Sequence, residues 1–399
     1  MTNVDKVQTE KKINYLLKRG VAEIIIEAEL IELLRSGKKL RLKFGLDPSA
    51  PDIHVGHMVV FRKLRQFQEL GHQVILIVGD WTAQIGDPSG VSATRKMLSA
   101  EQVKANADTY MKQFFMVVDK EKTEIKWQSE WFGKFNLADV VRLTSKFTVA
   151  QFLARDDFNK RFNEGRPIAI TELLYPLLQA YDSVAIQADV EFGGTDQKFN
   201  LLVGRELQSM IGQKPQQVFM TPLLVGTDGS KKMSKSVGNY IGVAEPPETI
   251  YGKTMSIRDD LILPYFELVT DVLAEELAEF KRHLENNTEN PMIFKKRLAR
   301  EIVTQLYGEK AAAEAGEYFI KVVQKKELPD EILEFKISAD TTISRLLLDS
   351  GLAASRSEAN RLILQGAVSI DGIKIIDINQ NIGKNVIIKA GKRRYLKTT

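Results

Sequence analysis

The sequence predicts an α/β protein in which a doubly wound parallel sheet is followed by a helical region and a small α+β domain. The segment LRLKFGL at 40–46 alternates like a buried strand, and QVILIVG at 73–79 is a near-continuous apolar run typical of a central parallel strand. Between them, Val60, Leu64 and Phe67 recur at helical spacing before Gly71, which predicts a helix over 56–70. Strand, helix and strand in this order form a βαβ unit, the building block of such sheets.

The rest of the first half completes the sheet around a helical insertion. Residues 100–170 are charged and helix-favouring, with one short possible strand at TEIKWQ, so we expect them to lie outside the sheet. Further strands are predicted in SVAIQADVEF, 183–192, and in QVFMTPLLVG, 217–226. Together these elements predict one α/β domain over 1–226.

The second half changes character twice. A polar loop rich in glycine and lysine occupies 227–239, and helical patterns dominate to 327, which predicts a helical domain over 227–330. ELPDEILEF at 327–335 contains the breaker Pro329 and is typical of a linker. The tail, 336–399, predicts a small α+β domain with a helical pair over 343–365 and short strands around turns at 371–372 and 391–392.

The composition excludes several classes of protein. Hydrophobic residues make up 44% and charged residues 27% of the 399 residues, so the chain can bury a large core and is not mainly disordered. The absence of cysteine excludes disulfides, thiolate zinc sites, iron–sulfur clusters and thiol nucleophiles. No apolar run is long enough to cross a bilayer and no signal peptide is visible, so we expect a cytoplasmic protein.

Basic charge is concentrated at the C-terminal end. Residues 341–399 contain ten Lys or Arg and four Asp or Glu, a net charge of +6, whereas the whole chain has a net charge of +4. A basic unit on a nearly neutral body predicts either a surface that binds a polyanion or a solvated charged face.

Two of the four histidines lie in HVGH at 54–57, where the first strand turns into the first helix. Open α/β sheets bind ligands at the carboxyl ends of their strands, and a helix N-terminus offers unpaired N–H groups to phosphates. His54 and His57 are therefore candidates to donate hydrogen bonds to a phosphoryl group. The alternatives are a helix-capping turn with incidental histidines, or a metal site; we predict no metal, because no third ligand is recognisable.

A second motif strengthens this interpretation. Lys232 and Lys235 lie in KMSKS, in the loop after a late predicted strand. Lysines on a mobile loop can close over a triphosphate and neutralise charge on the leaving group, although isolated loop lysines are usually only solvated. HVGH and KMSKS together, each placed after a strand, are far more specific than either alone.

A polar helix face predicts a substrate pocket. Tyr175, Gln179 and Asp182 fall at i, i+4 and i+7 of a predicted helix, so one face presents a phenol, an amide and a carboxylate. An ordinary amphipathic helix is the alternative, but a buried face would normally be apolar at those positions. GDPSG at 86–90 and GGTDQ at 193–197 each place an acid beside glycines, either as simple turns or to hold an amino group or a ribose.

HVGH and KMSKS resemble the HIGH and KMSKS signatures of the class I aminoacyl-tRNA synthetases, with Val55 in place of Ile. With YPLLQAYD, GDPSG and GGTDQ added, the chain is similar to the tyrosyl-tRNA synthetases over essentially its whole length. The resemblance implies a Rossmann-like sheet that binds ATP between the two signatures. It further implies tyrosine activation with loss of pyrophosphate, Mg²⁺ carried with ATP, transfer to the 3′ end of tRNA(Tyr), and a homodimer formed through 100–170.

The resemblance also implies roles for single residues. Asp182 would accept a hydrogen bond from the substrate phenol, and Asp87, Tyr175 and Gln179 would hold its α-ammonium, with Gln197 beside them. His54, His57, Lys232 and Lys235 would be the catalytic residues. The residues implied to bind ATP are Asp47, His54, His57, Thr82, Gly194, Asp196, Lys232, Ser234 and Lys235.

Lys43 departs from part of the family. Many members carry a Tyr two residues before the glycine of this strand end, where it contacts the substrate hydroxyl, and a bacterial subgroup shares the Lys. The resemblance therefore implies that Asp182 carries more of the discrimination against phenylalanine, because an acceptor left unpaired in a buried pocket is costly.

The tail resembles the S4 RNA-binding domain. Ser355 to Ala359 and Arg361 match the helix of that domain, and Gly366, Asp371 and Gly372 match its turn. The residues implied to contact RNA are Arg356, Arg361, Lys392, Arg393 and Arg394.

Two alternatives remain open from the sequence. A tryptophanyl-tRNA synthetase shares the fold, but Asp182 with Gln179 favours tyrosine, since an indole N–H presents a different hydrogen-bond geometry. An RNA-binding regulator that lost the chemistry is the second, and the intact HVGH and KMSKS motifs argue against it.

Overall fold

The computed structural model describes residues 3–49, 52–88, 98–324, 332–337, 341–391 and 394–399. The chain divides into two compact units, Met1–Gly308 and Glu309–Thr399. The boundary falls inside a long helix at Gly308, where φ of 87° and ψ of 169° interrupt the helical backbone. Among the described helices, none combines the length and apolar character needed to span a membrane.

The first unit is built on a sheet covered by helices. Its strands, in chain order, are β1 (Glu23–Ile25), β2 (Arg41–Leu46), β3 (Gln73–Val78), β4 (Thr123–Trp127), β5 (Val190–Gly194) and β6 (Gln217–Thr221). Its helices are α1 (Asn3–Lys18), α2 (Glu27–Arg35), α3 (Val55–Glu69), α4 (Thr82–Ile85), α5 (Ala100–Phe114), α6 (Ser129–Phe132), α7 (Leu137–Thr144), α8 (Val149–Leu153), α9 (Asp156–Asn163), α10 (Ile170–Ala185), α11 (Lys198–Met210), α12 (Pro247–Met255), α13 (Ile262–Val269), α14 (Ala274–Glu285) and α15 (Pro291–Tyr318), the last of which continues beyond Gly308.

The order of strands in this sheet is β1-β6-β5-β2-β3-β4, and every neighbouring pair is parallel except β1 with β6. From β2 the chain runs outward through β3 to β4, and it then returns to build β5 and β6 on the other side. The strand order therefore reverses between β2 and β5, which is where doubly wound sheets form a ligand crevice. The predicted Rossmann-like α/β fold is confirmed.

Apolar burial explains why these segments form the centre of the unit. In β3 the side chains from Val74 to Val78 are all buried, as expected for a strand covered on both faces. Helix α3 buries Phe61, Leu64 and Phe67 completely, and full burial of each such side chain contributes about 1.5–3 kcal/mol. This packing fixes the start of α3, which carries HVGH.

Two sequence predictions about this sheet need correction. Thr123–Trp127 pairs with β3 as an edge strand, so the predicted helical insertion, 100–170, includes one strand of the sheet. The strand predicted over 183–192 begins only at Val190, because α10 continues to Ala185 and a turn with Gln187 at φ 50° follows. The apolar run was assigned to a strand, but its residues complete a buried helix face that packs against α11.

Two arginines connect the helices after the KMSKS loop to α1 and α3, and Arg62 is buried. Arg62, on α3, donates to the backbone oxygens of Leu268 and Thr270 at the end of α13, and Arg19 donates to those of Phe266 and Thr270. These guanidinium groups satisfy carbonyls that a helix end leaves without intrahelical partners. The helix that begins with HVGH is therefore joined to the helical domain predicted over 227–330.

The second unit is a small α+β structure. It contains β7 (Leu333–Phe335), α16 (Ile343–Asp349), α17 (Arg356–Leu364), β8 (Val368–Ile370), β9 (Ile373–Ile375), β10 (Ile387–Ala390) and β11 (Arg394–Thr398), with the strand order β7-β11-β10-β8-β9. The β8–β9 turn places Asp371 and Gly372 at positive φ, as predicted for a two-residue hairpin loop. The predicted linker needs correction, because Leu333–Phe335 pairs in parallel with β11 and belongs to this sheet; residues 327–331 of the linker lie outside the described part of the chain.

Candidate active site

A cleft of about 370 Å³ opens at the carboxyl ends of the central strands. Gly45 and Leu46 of β2, Gly193 and Gly194 of β5, and Thr221 of β6 border it, so it lies at the reversal point of the strand order. A Cβ built on Gly45 would meet no atom within 4 Å, so this glycine leaves backbone open to the space of the cleft. The residues that line the cleft include Asp47, His54, His57, Thr82, Asp87, Tyr175, Gln179, Asp182, Gly194, Asp196, Gln197, Lys232 and Ser234.

The two histidines occupy the first turn of α3. His54 is the residue just before the helix, and its backbone N–H donates to Nδ1 of His57 at 3.2 Å. Nδ1 of His57 also lies 3.3 Å from the backbone oxygen of His54. In the tautomer in which Nδ1 accepts from the N–H of His54, the proton of the neutral ring lies on Nε2, which can then donate to an anion. A Cβ on Gly56 would lie 2.9 Å from Nδ1 of His54, so a larger residue would displace that ring.

Both imidazoles are neutral near pH 7. Burial lowers the pKa of His57 to about 4. Burial, followed by the positive charges of His57 and Lys232, lowers the pKa of His54 to about 2. The two rings are therefore polar groups that can form hydrogen bonds, rather than fixed positive charges.

The KMSKS loop is held against the same turn. Met233 is buried, and its N–H donates to the backbone oxygen of Leu224 at 2.8 Å. Beyond the loop, the oxygen of Ile241 accepts from the N–H of Val55 at 2.8 Å, at the start of α3. HVGH and KMSKS therefore share one cleft, as their relation in the sequence predicted.

The loop lysines are paired with carboxylates of the cleft. Nζ of Lys232 lies 2.8 Å from Oδ2 of Asp196. Nζ of Lys235 lies 2.5 Å from Oδ2 of Asp52, and Lys235 is the one predicted catalytic residue that does not line the cleft. Both pairs are half-exposed and so contribute little stability, which leaves the lysines able to exchange partners.

Asp47 connects two other predicted residues. Oδ1 accepts from Oγ1 of Thr82 and Oδ2 accepts from the hydroxyl of Tyr175, each at 2.7 Å. Burial and the charge of Asp47 raise the pKa of Tyr175 well above its usual value, so the phenol stays protonated and donates to Asp47. Its oxygen remains an acceptor, the role that binding an ammonium requires. A Cβ on Gly79 would lie 2.2 Å from Oδ1 of Asp47, which explains a glycine after β3.

The two glycine-rich turns meet across the cleft. Nε2 of Gln197, from GGTDQ, donates to Oδ2 of Asp87, from GDPSG, at 2.6 Å. Described residues of both turns therefore form one wall; residues 89–97, including Ser89 and Gly90 of GDPSG, lie outside the described part of the chain.

Asp182 forms the buried end of the cleft. Its Oδ2 accepts from Nε2 of Gln128 at 2.8 Å and its Oδ1 accepts from Nε1 of Trp131 at 3.1 Å. Burial raises the pKa of Asp182 to about 7, while the charge of Lys43 and these hydrogen bonds oppose the rise. The site therefore holds an acceptor that is costly to leave unpaired.

Gln128 and Trp131 were missed by the sequence analysis. Both follow β4, at the edge where β2 and β5 also end. The short predicted strand TEIKWQ was the signal that could have found Gln128. If this strand is placed in the sheet, Gln128 stands at its carboxyl end and becomes a candidate site residue. Tyr110 on α5 also lines the cleft and was not predicted.

The predicted RNA-binding residues lie in the second unit. Arg356 and Arg361 are exposed on α17, while Arg394 donates to the backbone oxygen of Leu352 and lies 3.8 Å from Glu358. Lys392 and Arg393 lie outside the described residues. Within the described residues, no group of three or more potential metal ligands is assembled.

This fold and site define a class I synthetase. Residues 35–324 match the family of tRNA synthetases class I (W and Y), and residues 324–397 match the tyrosine--tRNA ligase SYY-like C-terminal domain. The chain belongs to the class I tRNA synthetase family of the tryptophan and tyrosine enzymes, which use ATP as a substrate.

Within this family, similar curated proteins are tyrosine--tRNA ligases. That of Dehalococcoides mccartyi is 65% identical, with 98% of this chain and 99% of the relative covered. That of Thermotoga maritima is 53% identical, with 95% of each chain covered. These similarities confirm the resemblance and the enzyme class predicted from the sequence.

Solved structures agree in fold. Tyrosyl-tRNA synthetase from Archaeoglobus fulgidus, complexed with L-tyrosine, has a TM-score of 0.62 at 24% identity and covers 77% of this chain and 99% of its own. The mitochondrial tyrosyl-tRNA synthetase of Aspergillus nidulans, truncated at the C-terminus, has a TM-score of 0.64 at 20% identity, with 78% and 98% covered.

Proposed function

We propose that this protein is a tyrosine–tRNA ligase that activates L-tyrosine with ATP and transfers it to the 3′ end of tRNA(Tyr). The observation that carries the proposal is one cleft with HVGH and KMSKS at its mouth and the buried acceptor Asp182 at its far end. The first feature fits a triphosphate, and the second fits a phenol hydroxyl.

In this proposal the substrate side chain enters toward Asp182, which accepts the phenol hydrogen. The hydroxyl oxygen of Tyr175 and the amide oxygen of Gln179 accept from the α-ammonium, and Asp87, held by Gln197, adds a negative charge. Asp47 acts by holding Tyr175 and Thr82 in place. This arrangement directs the carboxylate of the substrate tyrosine toward the nucleotide. An ammonium bound by several acceptors has little freedom, which favours reaction through orientation.

The chemical step needs no protein nucleophile and no strong base, because the substrate carboxylate is already an anion. It attacks the α-phosphorus, the bond to the bridging oxygen breaks, and pyrophosphate leaves. Neutral His54 and His57 donate from the first turn of α3, while Lys232 and Lys235 exchange Asp196 and Asp52 for the departing phosphates. Catalysis is then positioning and electrostatic stabilisation.

The nucleotide's sugar and metal fit the same arrangement. Gly194 and Asp196 face the ribose, and a Cβ on Gly194 would come within 2.8 Å of Asp196. Ser234 stands at the mouth with Lys232. We assign Mg²⁺ to the phosphates of ATP and no residue as its ligand, since the described residues assemble no group of three or more potential metal ligands.

We assign RNA binding to the second unit, where Arg356 and Arg361 of the domain predicted at 336–399 would contact phosphates. The helical domain predicted at 227–330, most of which belongs to the first unit, would lie on the anticodon side of the tRNA. A homodimer is supported by exposed apolar residues on the helices after β4: Leu137, Val141, Val149, Phe162 and Ile170.

We place the enzyme in the cytoplasm because its substrates, ATP and tRNA, are found there.

The test is pyrophosphate exchange on the purified protein with single amino acids. Tyrosine is expected to support exchange of pyrophosphate into ATP, and phenylalanine and tryptophan are not. If tryptophan supports exchange and tyrosine does not, the specificity is wrong. If no amino acid does, the protein is an RNA-binding relative without the chemistry.

A further inference from the structure

A fully buried ion pair lies behind the proposed tyrosine site. The side chains of Lys43 and Glu191 are 0% and 1% exposed, and Nζ lies 2.9 Å from Oε1. The two residues are direct partners across the parallel strands β2 and β5, at the reversal point of the sheet. A buried ion pair often contributes no net stability even when its hydrogen bonds are complete, so this pair points to a role beyond stability.

The ammonium of Lys43 has no hydrogen left for a substrate. It donates to Oε1 of Glu191, to the backbone oxygen of Gln179 at 2.6 Å and to Oγ of Ser183 at 2.7 Å. An ammonium has three N–H donors, and all three are used. Lys43 therefore does not replace a direct contact to the substrate hydroxyl; it acts on the site through its charge.

Glu191 fixes the orientation of Gln179. Nε2 of Gln179 donates to Oε1 of Glu191 at 3.1 Å, and Ser183 and Gln216 donate to Oε2. A carboxylate only accepts, so the amide nitrogen must face Glu191 and the amide oxygen is the other end of the group. Gln179 lines the cleft, which gives that oxygen the part of an acceptor there.

We propose that the buried Lys43–Glu191 ion pair is a positioning pair for tyrosine selection. The charge of Lys43 favours the ionised form of Asp182, which accepts from the phenol, and Glu191 orients the Gln179 amide for the ammonium. This inference rests on the proposed function and concerns the same site.

The charges around Asp182 set the expected direction. Lys43 from β2 favours the ionised carboxylate, Glu191 from β5 opposes it less strongly, and Gln128 and Trp131 donate as neutral groups. Tyr175, on the same helix, stays protonated. Removing both charges of the pair therefore raises the pKa of Asp182, whereas removing only the negative charge lowers it.

The test compares two variants by pyrophosphate exchange between pH 5.5 and 9. In Lys43→Met/Glu191→Gln, which leaves no unpaired buried charge, the acid limb of kcat/KM for tyrosine should move upward by about one pH unit. The ratio of kcat/KM for tyrosine over phenylalanine should fall about tenfold at pH 7, with the KM for ATP unchanged. In Glu191→Gln the acid limb should move downward while the KM for tyrosine rises.

The matched control is Arg161→Met/Glu172→Gln. That buried pair also involves α10, with 1% and 6% exposed side chains 2.5 Å apart, and it does not line the cleft. It should lower the urea midpoint without moving the pH profile. An unchanged profile and ratio in the folded Lys43→Met/Glu191→Gln protein, or equal changes in the control, would overturn the inference. Absence of tyrosine-dependent exchange in the unaltered protein would refute the proposed function itself.

Discussion

Replacing Asp182 by Asn should stabilise the protein at alkaline pH while impairing its proposed activity. The folded pKa of Asp182 is about 7, whereas an ordinary Asp has a pKa of about 3.9. At about 1.36 kcal/mol per unit, holding the ionised carboxylate in the fold costs about 4 kcal/mol. Because the folded pKa is raised, the unfolded chain loses this proton first. The contribution of protonated Asp182 to the stability of the folded protein is thus fully present below about pH 4 and is lost as the pH rises to about 7.

The substituted asparagine cannot ionise, so its contribution is independent of pH. Its NH₂ group must face the N–H of either Gln128 or Trp131, so two donors meet. This conflict costs about 1–3 kcal/mol. A protonated Asp182 has the same conflict, because its O–H is also a donor. Between pH 4.5 and 8, the free energy of unfolding of Asp182→Asn relative to the unaltered protein should therefore rise by about 3–4 kcal/mol. Urea unfolding at both pH values measures this, with the exposed Asp108→Asn as control.

The same variant should lose tyrosine activation. A hydrogen bond to a charged group contributes about 1.5–3 kcal/mol, so kcat/KM for tyrosine should fall roughly 10- to 150-fold at pH 8. In the unaltered protein kcat/KM should decline as pH falls through about 7, where Asp182 becomes protonated. A stability difference that stays flat with pH would refute the buried ionisation, and an unchanged exchange rate would refute the phenol contact.

Three further predictions concern other parts of the molecule. His57→Ala and Lys235→Ala should each slow tyrosine-dependent exchange about 100-fold with little change in the urea midpoint, and unchanged rates would remove these residues from the mechanism. Leu137→Asp, which puts a charge on a side chain that is 78% exposed, should convert a dimer to monomers in sedimentation velocity; a monomeric unaltered protein would contradict the homodimer. Arg356→Ala/Arg361→Ala should weaken tRNA charging and reduce its salt dependence while exchange stays normal, and equal loss of both activities would contradict separate roles for the two units.

The meeting of HVGH and KMSKS could be predicted because both follow strands of one parallel sheet. The carboxyl ends of such strands share an edge, so the position of each motif along the chain already places it in space. The polar spacing of Tyr175, Gln179 and Asp182 was equally informative, since a helix puts i, i+4 and i+7 on one face.

The rest of the site depends on contacts that local patterns do not encode. Trp131 and Gln128 reach Asp182 from beyond an edge strand that the sequence shows only weakly. Lys43 reads as an ordinary residue of an alternating strand, yet it is buried because Glu191, distant in the chain, lies opposite it. Pairing between distant strands decides which polar residue is buried, and a single sequence does not reveal that pairing.

The KMSKS loop is hydrogen-bonded on one side to the segment after β6 and on the other side to the turn that carries the histidines. The N–H of Met233 donates to the oxygen of Leu224, and the oxygen of Ile241 accepts from the N–H of Val55, so only a short stretch of chain lies between these two hydrogen bonds. A brief span has little conformational entropy to surrender when it grips a ligand. The backbone of this loop therefore moves little when it contacts the nucleotide, and the length of the lysine side chains sets how far their ammonium groups reach.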